Sequence, residues 1–200
     1  MVFSTTSSTS LKLFNSSPDK SGVFLNNYKN GRKIKSQKYG NVLKIDQRPV
    51  SINNRIVAGH WETDNMEGKK SDSICVSTTI ERKSRYTILS KLNGHGSVPK
   101  TQAVINRLKP LPEKLVKSIT TDRGPENHGY QEIMDALGTK VYFCNPYHSW
   151  EKGSVEQING LLRRYLPRKT NLKNITQQDL DDIVYELNTR PRKCLGYKTP

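Results

Sequence analysis

The sequence predicts an α/β domain in which helices flank a mixed sheet of five strands. Two observations support this class: short apolar, β-branched runs alternate with segments of helical periodicity, and polar turns separate them. The order is three strands, a helix, a strand, a helix, a strand and two helices. Because a sheet covered by helices buries the apolar sides of both element types, this order favours that architecture.

Five segments have the composition of strands. The first, GHWETDNME, alternates loosely and carries Asp64 near its end, and the polar turn ERKS joins the second and third strands of a β-meander. The fourth strand ends at Asp122, and the fifth is KVYFC. We predict the strands at 59–67, 73–80, 85–92, 116–121 and 140–144.

Four segments have the periodicity of amphipathic helices. Gly138 is placed to close the second of them at its C-terminus, and Ser154 is a candidate cap for the third. Thr176, with Asp179 three residues later, resembles a capping box for the fourth. We predict these helices at 98–108, at 130–137, from 155 to the region of Pro167, and at 176–189.

The chain as a whole is polar and basic. Its 200 residues carry a formal net charge of +15, only 33% of them are hydrophobic, and the mean hydropathy is −0.74. This length allows one ordinary domain and a tail that does not pack. No apolar stretch approaches the ~20 residues that span a membrane, so we expect no membrane association.

The composition divides the chain into a leader at 1–28, a basic linker at 29–56 and a folded domain at 57–200. The leader is rich in Ser, Thr and Asn, as are disordered segments and transit peptides. Residues 1–59 hold ten Lys and Arg against two acids, an excess that attracts polyphosphates. A solvated tail and a direct DNA contact are both open interpretations of this excess.

The three cysteines, Cys75, Cys144 and Cys194, are odd in number and far apart in the sequence. This pattern is neither a disulfide framework nor a zinc-ligand spacing. We therefore expect a reducing, cytoplasmic environment. Cys75 and Cys144 lie in apolar runs and are predicted to be small core residues.

Three acidic residues, Asp64, Asp122 and Glu156, are candidates for one metal site. The first two lie at or near predicted strand ends, and Glu156 lies on the third predicted helix. Carboxylates are the ligands that magnesium and manganese prefer, and two such ions can activate the attacking oxygen and stabilise the leaving oxygen of a phosphodiester. On a chain of net charge +15, this set indicates a hard-metal site that acts on nucleic acid.

Each member of this set has an ordinary alternative. An Asp at a strand end is often a turn or cap residue, and a Glu on a helix is usually solvated. Glu62 rivals Asp64 because it lies on the same strand face, but it is closer to the strand interior, which suits an open metal site less well. Glu126 rivals Asp122, but it lies beyond the tight turn that follows.

Four residues near Glu156 are candidates for DNA binding. Arg163 lies seven residues after Glu156, two turns or roughly 10.5 Å along the helix, and so projects from the same face. Its guanidinium suits bidentate contact with a phosphate. Asn159 lies between them and could contact DNA or support a metal ligand. Lys152 and Arg164 are the other two candidates for phosphate contact.

With these residues in view, the chain resembles the catalytic domain of bacterial insertion-sequence transposases of the DDE class, in the IS30 group. The resemblance covers about residues 57–200 and includes GHWETD, TTDRG and the closing RPRKCLGYKTP. It also includes the 33 residues between Asp122 and Glu156 and the basic residue seven positions after Glu156.

The resemblance implies a ribonuclease H-like fold, two magnesium or manganese ions, and no small-molecule cofactor. It implies cleavage at transposon ends and transfer of the 3′-hydroxyl to target DNA. Asp64, Asp122 and Glu156 match the acidic triad of the family, and Arg163 matches its basic position. The implied partners are double-stranded DNA, as transposon ends and target, and further copies of the chain in a homodimer or larger assembly at the bacterial nucleoid.

Three departures from the family are visible, and the first two give rise to the alternative functions. Relatives usually carry helix-turn-helix segments ahead of the catalytic domain, and residues 1–56 show no such pattern. Relatives also continue a little beyond the position of Pro200, and Gln157 stands where they often have Asn. We therefore expect an N-terminally truncated transposase. The alternatives are a catalytically silent remnant that binds DNA or interferes with a full-length transposase, and a plain nuclease of the same fold.

Overall fold

The computed structural model describes Tyr39 and residues 42–69, 71–146 and 148–200. The predicted leader lies outside the described residues. The strands are β1 (Leu43–Lys44), β2 (His60–Glu67), β3 (Cys75–Glu81), β4 (Thr87–Leu92), β5 (Ser118–Thr121) and β6 (Lys140–Phe143). The α-helices are α1 (Val50–Asn53), α2 (Ser97–Leu108), α3 (Tyr130–Leu137), α4 (Gly153–Leu162) and α5 (Gln177–Thr189).

The described strands form one mixed sheet in the order β1-β6-β5-β2-β3-β4. Pairing is parallel from β1 through β6 and β5 to β2, and antiparallel from β2 through β3 to β4. The mixed sheet and all five predicted strands are therefore confirmed. The count of five is one too low, because β1 has only two residues and is too short to show any alternation.

The main hydrophobic core lies between β2–β4 and the helices α4 and α5. Alternate residues of β3, Val76 and Ile80, pack there with Ile158 and Leu162 of α4 and Leu180 of α5. All five are at least 98% buried, and burial of each such side chain contributes about 1.5–3 kcal/mol. The apolar stripe predicted for the third helix is thus the face that holds α4 on the sheet.

Two of the predicted helix ends are confirmed, and one is wrong. Gly138 ends α3 in the left-handed conformation, with φ of 58°. Thr176 caps α5 through a reciprocal pair of hydrogen bonds with Asp179. By contrast, α4 begins at Gly153, so Ser154 lies inside its first turn and is not its cap. The hydrogen-bond acceptors for the first backbone N–H groups of α4 come from another element of the fold.

Part of the predicted basic linker is built into the folded unit. Ile45 and Ile52 are buried, and β1 pairs with β6. The Arg48 guanidinium donates to Thr120 Oγ1 of β5 at 3.0 Å. These residues lie before the predicted start of the folded domain, while the division into leader, linker and catalytic domain stays a prediction. Within the described part of the chain, no helix is long and apolar enough to cross a membrane.

Candidate active site

The pairing of β2 with β5 brings Asp64 level with Asp122. Asp64 lies in the middle of β2, which continues to Glu67, so the prediction that it lies near a strand end is wrong. The strand continues because β3 pairs with it along its length, whereas its parallel pairing with β5 ends at Glu62 and Thr120. Two residues further in the same register, Asp64 stands beside Asp122, which follows β5 directly.

The carboxylates of Asp64 and Asp122 converge on one cation, the ammonium of Lys152. Its Nζ lies 3.0 Å from Asp64 Oδ1 and 3.0 Å from Asp122 Oδ2. The Lys152 side chain is only 3% exposed. Lys152 comes from the short 3₁₀ helix that leads into α4, so the start of α4 is tied to two strands of the sheet.

The two remaining carboxylate oxygens are held by amide donors. Asn159 Nδ2 donates to Asp64 Oδ2 at 3.1 Å. Asn127 Nδ2 donates to Asp122 Oδ1 at 2.8 Å, and the Gly124 N–H donates to the same oxygen at 3.3 Å. Each oxygen of the pair therefore has a donor, and of the two roles left open for Asn159, this contact supports the orientation of a ligand.

The charges of this cluster stabilise one another. Burial alone would raise the pKa of the Asp122 carboxyl, but the adjacent Lys152 ammonium, aided by Lys100 and the Gly124 N–H, holds that pKa below its usual range. Burial alone would lower the pKa of Lys152, yet the two carboxylates raise it. Lys152 and Asp122 are therefore both charged at neutral pH.

A second lysine, Lys100 of α2, is buried near the carboxylates and was missed by the sequence analysis. It is 1% exposed, and its Nζ has no hydrogen-bond partner within the part of the chain that the structure describes. Burial lowers its pKa, while nearby acids, Asp64 foremost, act in the opposite direction. The signal was available, since Lys100 shares the buried stripe of α2 with Val104 and Leu108, four and eight residues later.

Glu156 lies in the first turn of α4 and is exposed. Among the described residues, no group of three His, Cys, Asp or Glu side chains is placed to hold a metal ion. The structure thus joins Asp64 and Asp122 through Lys152 and does not group Glu156 with them. The catalytic role of Glu156 stays a prediction.

The basic candidates for DNA contact are placed differently from one another. Arg163 is partly exposed and donates from Nη1 to the Glu67 carbonyl at 2.8 Å, and Arg164 is exposed. Lys152 was expected at a DNA surface, but its ammonium lies inside the site, because two carboxylates compensate its burial there. DNA contact by these residues stays a prediction.

The rival carboxylate Glu62 has another use. It is fully buried and forms an ion pair with Arg82, with 2.6 Å between Oε1 and Nη1. Its Oε2 accepts the backbone N–H groups of Ser154 and Val155, each at 2.9 Å. Both carboxylate oxygens of Glu62 are therefore buried and occupied by protein donors, and Glu62 is not available as a metal ligand.

The donor set around Asp64 and Asp122 fits a hard divalent cation. Two carboxylates already share one positive charge, and oxygen ligands of this kind are those that magnesium and manganese prefer. The Asn159 Oδ1 atom, on the side chain that holds Asp64, is buried without a hydrogen-bond partner among the described residues. A buried oxygen of this kind is unsatisfied unless a cation or donor comes to it.

The chain is similar to known integrase and transposase domains. Residues 54–149 match the protein family described as the integrase core domain. The transposase InsI of insertion sequence element IS30A from Escherichia coli K12 is 46% identical over 156 residues, 78% of this chain and 40% of that protein. This chain carries a catalytic domain of the IS30 transposase family. The transposase of IS1086 from Cupriavidus metallidurans is 37% identical over 159 residues, 80% of this chain and 47% of that protein.

Solved structures confirm the ribonuclease H-like fold of this IS30-family domain. The catalytic core of bovine immunodeficiency virus (BIV) integrase superposes with a TM-score of 0.53 at 18% identity, over 72% of this chain and 91% of that one. The catalytic core of HTLV-2 integrase, solved in complex with magnesium, superposes with a TM-score of 0.53 at 20% identity. This superposition covers 72% of this chain and 95% of that one. The chain spans less than half the length of the two transposases, 40% and 47%.

Proposed function

We propose that this chain is a metal-dependent polynucleotidyl transferase that cleaves DNA at transposon ends and joins the 3′-hydroxyl to target DNA. The observation that carries the proposal is the convergence of Asp64 and Asp122 on one buried cation, in an IS30-family domain of a chain whose net charge is +15. Two facing carboxylates supply the oxygen ligands that a site for divalent metals requires.

The residues that would hold magnesium or manganese are Asp64, Asp122 and Glu156. Two bound ions would supply activation of the attacking oxygen and stabilisation of the leaving oxygen. The amides of Asn159 and Asn127 orient the two Asp carboxylates before any ligand arrives. Such support is a general requirement of metal sites.

Support for Glu156 as the third ligand comes from its neighbour on α4. Asn159 contacts Asp64, and Glu156 lies three residues before Asn159 on the same helix. Positions three apart share one face of a helix. Because the ammonium of Lys152 occupies the space between the carboxylates, it must withdraw before Glu156 joins them, and it would then meet an incoming phosphate.

The substrate in this proposal is double-stranded DNA. Arg163 and Arg164, at the end of α4, present guanidinium groups that suit phosphate oxygens. The chain would act as a homodimer or larger assembly, because two transposon ends must be joined to one target. The intasome of a simian T-cell lymphotropic virus, an assembly that contains integrase of the same fold, supports this view.

The test is a strand-transfer assay with a labelled duplex that carries a pre-cut 3′-hydroxyl end, in the presence of manganese. We expect products from the wild-type chain and a loss of at least about 100-fold for Asp122→Asn and for Glu156→Gln, since changes in groups that merely support metal ligands already cost 10–100-fold. The exposed residues Asp135 and Glu132 of α3 give matched controls, Asp135→Asn and Glu132→Gln, which should retain activity. Full activity of Asp122→Asn would refute the assignment.

A silent remnant is the second candidate function. The observation that favours it is that Lys152 forms an ion pair with both Asp carboxylates, so the three side chains also make a structural salt-bridge cluster. In that case DNA binding would fall with salt, as phosphate contacts dictate, and would be indifferent to manganese and to Asp122→Asn. A chain that binds DNA in this way and gives no joined product would support the remnant.

A further inference from the structure

The start of α4 is satisfied by a carboxylate that arrives from the sheet. The first N–H groups of a helix have no partner within it. The side chain of Lys152, the N-cap residue of α4, makes no capping hydrogen bond. Instead, Glu62 of β2 accepts the N–H groups of Ser154 and Val155 through a single oxygen, with both distances 2.9 Å. An anion at this position also interacts favourably with the helix dipole.

The other side of Glu62 is fixed as firmly. Its second oxygen pairs with Arg82 at 2.6 Å, and the carboxylate is completely buried. Arg85 adds a parallel tie, because its Nη1 donates to the Ser154 hydroxyl at 2.7 Å. Arg85 has a φ of 66°, a conformation that non-glycine residues rarely adopt. Two arginines of the β3–β4 turn and one glutamate thus converge on the start of one helix.

These bonds act next to a candidate catalytic residue. Glu156 directly follows Val155, whose N–H is bound by Glu62. The apolar side chains Ile158 and Leu162 hold α4 at a fixed depth on the sheet, but apolar packing is not directional. Hydrogen bonds are directional, so the bonds to Glu62 set how far α4 slides and rotates over β2.

We infer that Glu62 is a positioning residue, which sets the register of α4 against β2 and thereby aims Glu156 at the Asp64–Asp122 pair. Glu62 and Asp64 are two residues apart on one strand and point to the same face. A single strand thus supplies one carboxylate to the metal site and another to the helix that completes it. This inference rests on the proposed function, in which Glu156 is a metal ligand.

The variant Glu62→Gln keeps the size of the side chain but not its two acceptors. If the amide oxygen faces α4, its NH₂ group opposes the Arg82 guanidinium. If the oxygen faces Arg82, the NH₂ group opposes the N–H groups of Ser154 and Val155. An amide has one acceptor atom where the carboxylate has two, so one set of donors is left unmet.

The experiment measures manganese binding by titration calorimetry on the full chain, together with thermal stability. We expect Glu62→Gln to weaken manganese binding about 10-fold, within the range for residues that orient metal ligands. Glu156→Gln should weaken binding as well. The double variant should bind manganese no more than about two-fold more weakly than Glu156→Gln alone, because Glu62 acts through Glu156, and close sites of this kind are not additive.

The control is Leu108→Ala, a core truncation at the far end of α2, where the wild-type side chain is fully buried. It should lower the thermal stability and leave the manganese affinity unchanged, which separates positioning from general destabilisation. A Glu62→Gln variant that binds manganese as the Leu108→Ala variant does would overturn the inference. So would fully additive losses in the double variant.

Failure of the proposed function gives a different result. If the wild-type chain binds no manganese and joins no DNA, the metal-site assignment falls, and the positioning role of Glu62 falls with it. If the wild-type chain binds manganese and Glu62→Gln is unaffected, only the role of Glu62 is removed.

Discussion

Glu62 and Asp64 are two carboxylates on one face of one strand, and their surroundings differ in kind. Glu62 is completely buried, and its partners are two backbone N–H groups and a buried guanidinium. The Asp64 side chain is 24% exposed, and its partners are the side chains of Lys152 and Asn159. Backbone donors stay in place as long as the helix exists, whereas a lysine side chain can rotate away. The fully buried Glu62 is thus a fixed structural support, whereas the more exposed Asp64 can exchange its lysine partner for another cation.

The largest effect we expect is the loss of stability in Glu62→Ala, set against Asp64→Ala. Truncation of Glu62 leaves Arg82 buried without its partner, which costs about 3–5 kcal/mol. Truncation of Asp64 leaves Lys152 paired with Asp122, so the loss should stay near the 0.5–1.5 kcal/mol of an ordinary hydrogen bond, at about 1 kcal/mol. The measurement is the free energy of unfolding in urea for both variants. Equal losses would mean that Asp64 is a structural residue like Glu62.

Lys152→Met tests whether a metal ion and the Lys152 ammonium compete for Asp64 and Asp122. A divalent ion at Asp64 and Asp122 has to replace the ammonium that now lies 3.0 Å from each of them. We therefore expect the variant to bind manganese about 10-fold more tightly, equivalent to roughly 1.4 kcal/mol. Titration calorimetry of the free metal measures this directly, beside the exposed control Lys169→Met, which should match the wild type. Weaker binding in Lys152→Met would show that the lysine assists the metal site instead of competing for it.

These contrasts also show what the sequence could reveal. Periodicity predicted five strands and four helices, because each element is long enough to repeat its pattern, and it missed the two-residue strand β1. The sequence named Asp64 and Asp122 as candidates for one site, and only the structure shows the parallel register of β2 and β5 that brings them together. The partners of Glu62 could not be predicted, since Ser154 lies 92 residues away and contributes a backbone N–H, which every non-proline residue has.

Lysines were hardest to interpret from sequence. A lysine in a turn is ordinarily solvated, and only the convergence of three distant segments shows that Lys152 is buried between two acids. Lys100 left a trace in the sequence, because it occupies an apolar stripe position of α2. Burial of a lysine requires a compensating charge nearby. A lysine on a predicted core face is therefore a sign of an acidic cluster on a neighbouring element.

The smallest effect we expect is the pH dependence of stability that Asp122 and Lys152 cause. The pKa of Asp122 is lowered in the folded chain, so its contribution to stability is complete above its ordinary value of about 3.9 and is lost as the pH falls through the lowered pKa. The pKa of Lys152 is raised, so its contribution is complete below about 10.4 and is lost as the pH rises through the raised pKa. In Lys152→Met the contribution of Lys152 is absent, and that of Asp122 loses its largest favourable source.

The wild type should therefore melt above Lys152→Met near neutral pH, and this gap should narrow as the pH falls into the acid range and as it rises past about 10. Differential scanning calorimetry across the pH range measures the gap, with Lys169→Met as the control that follows the wild type throughout. Glu62 does not enter this gap, because its carboxylate keeps the same partners in both chains. A gap that changed steeply near neutral pH would mean that the cluster exchanges a proton there, and that Lys152 does not hold Asp122 in its charged form.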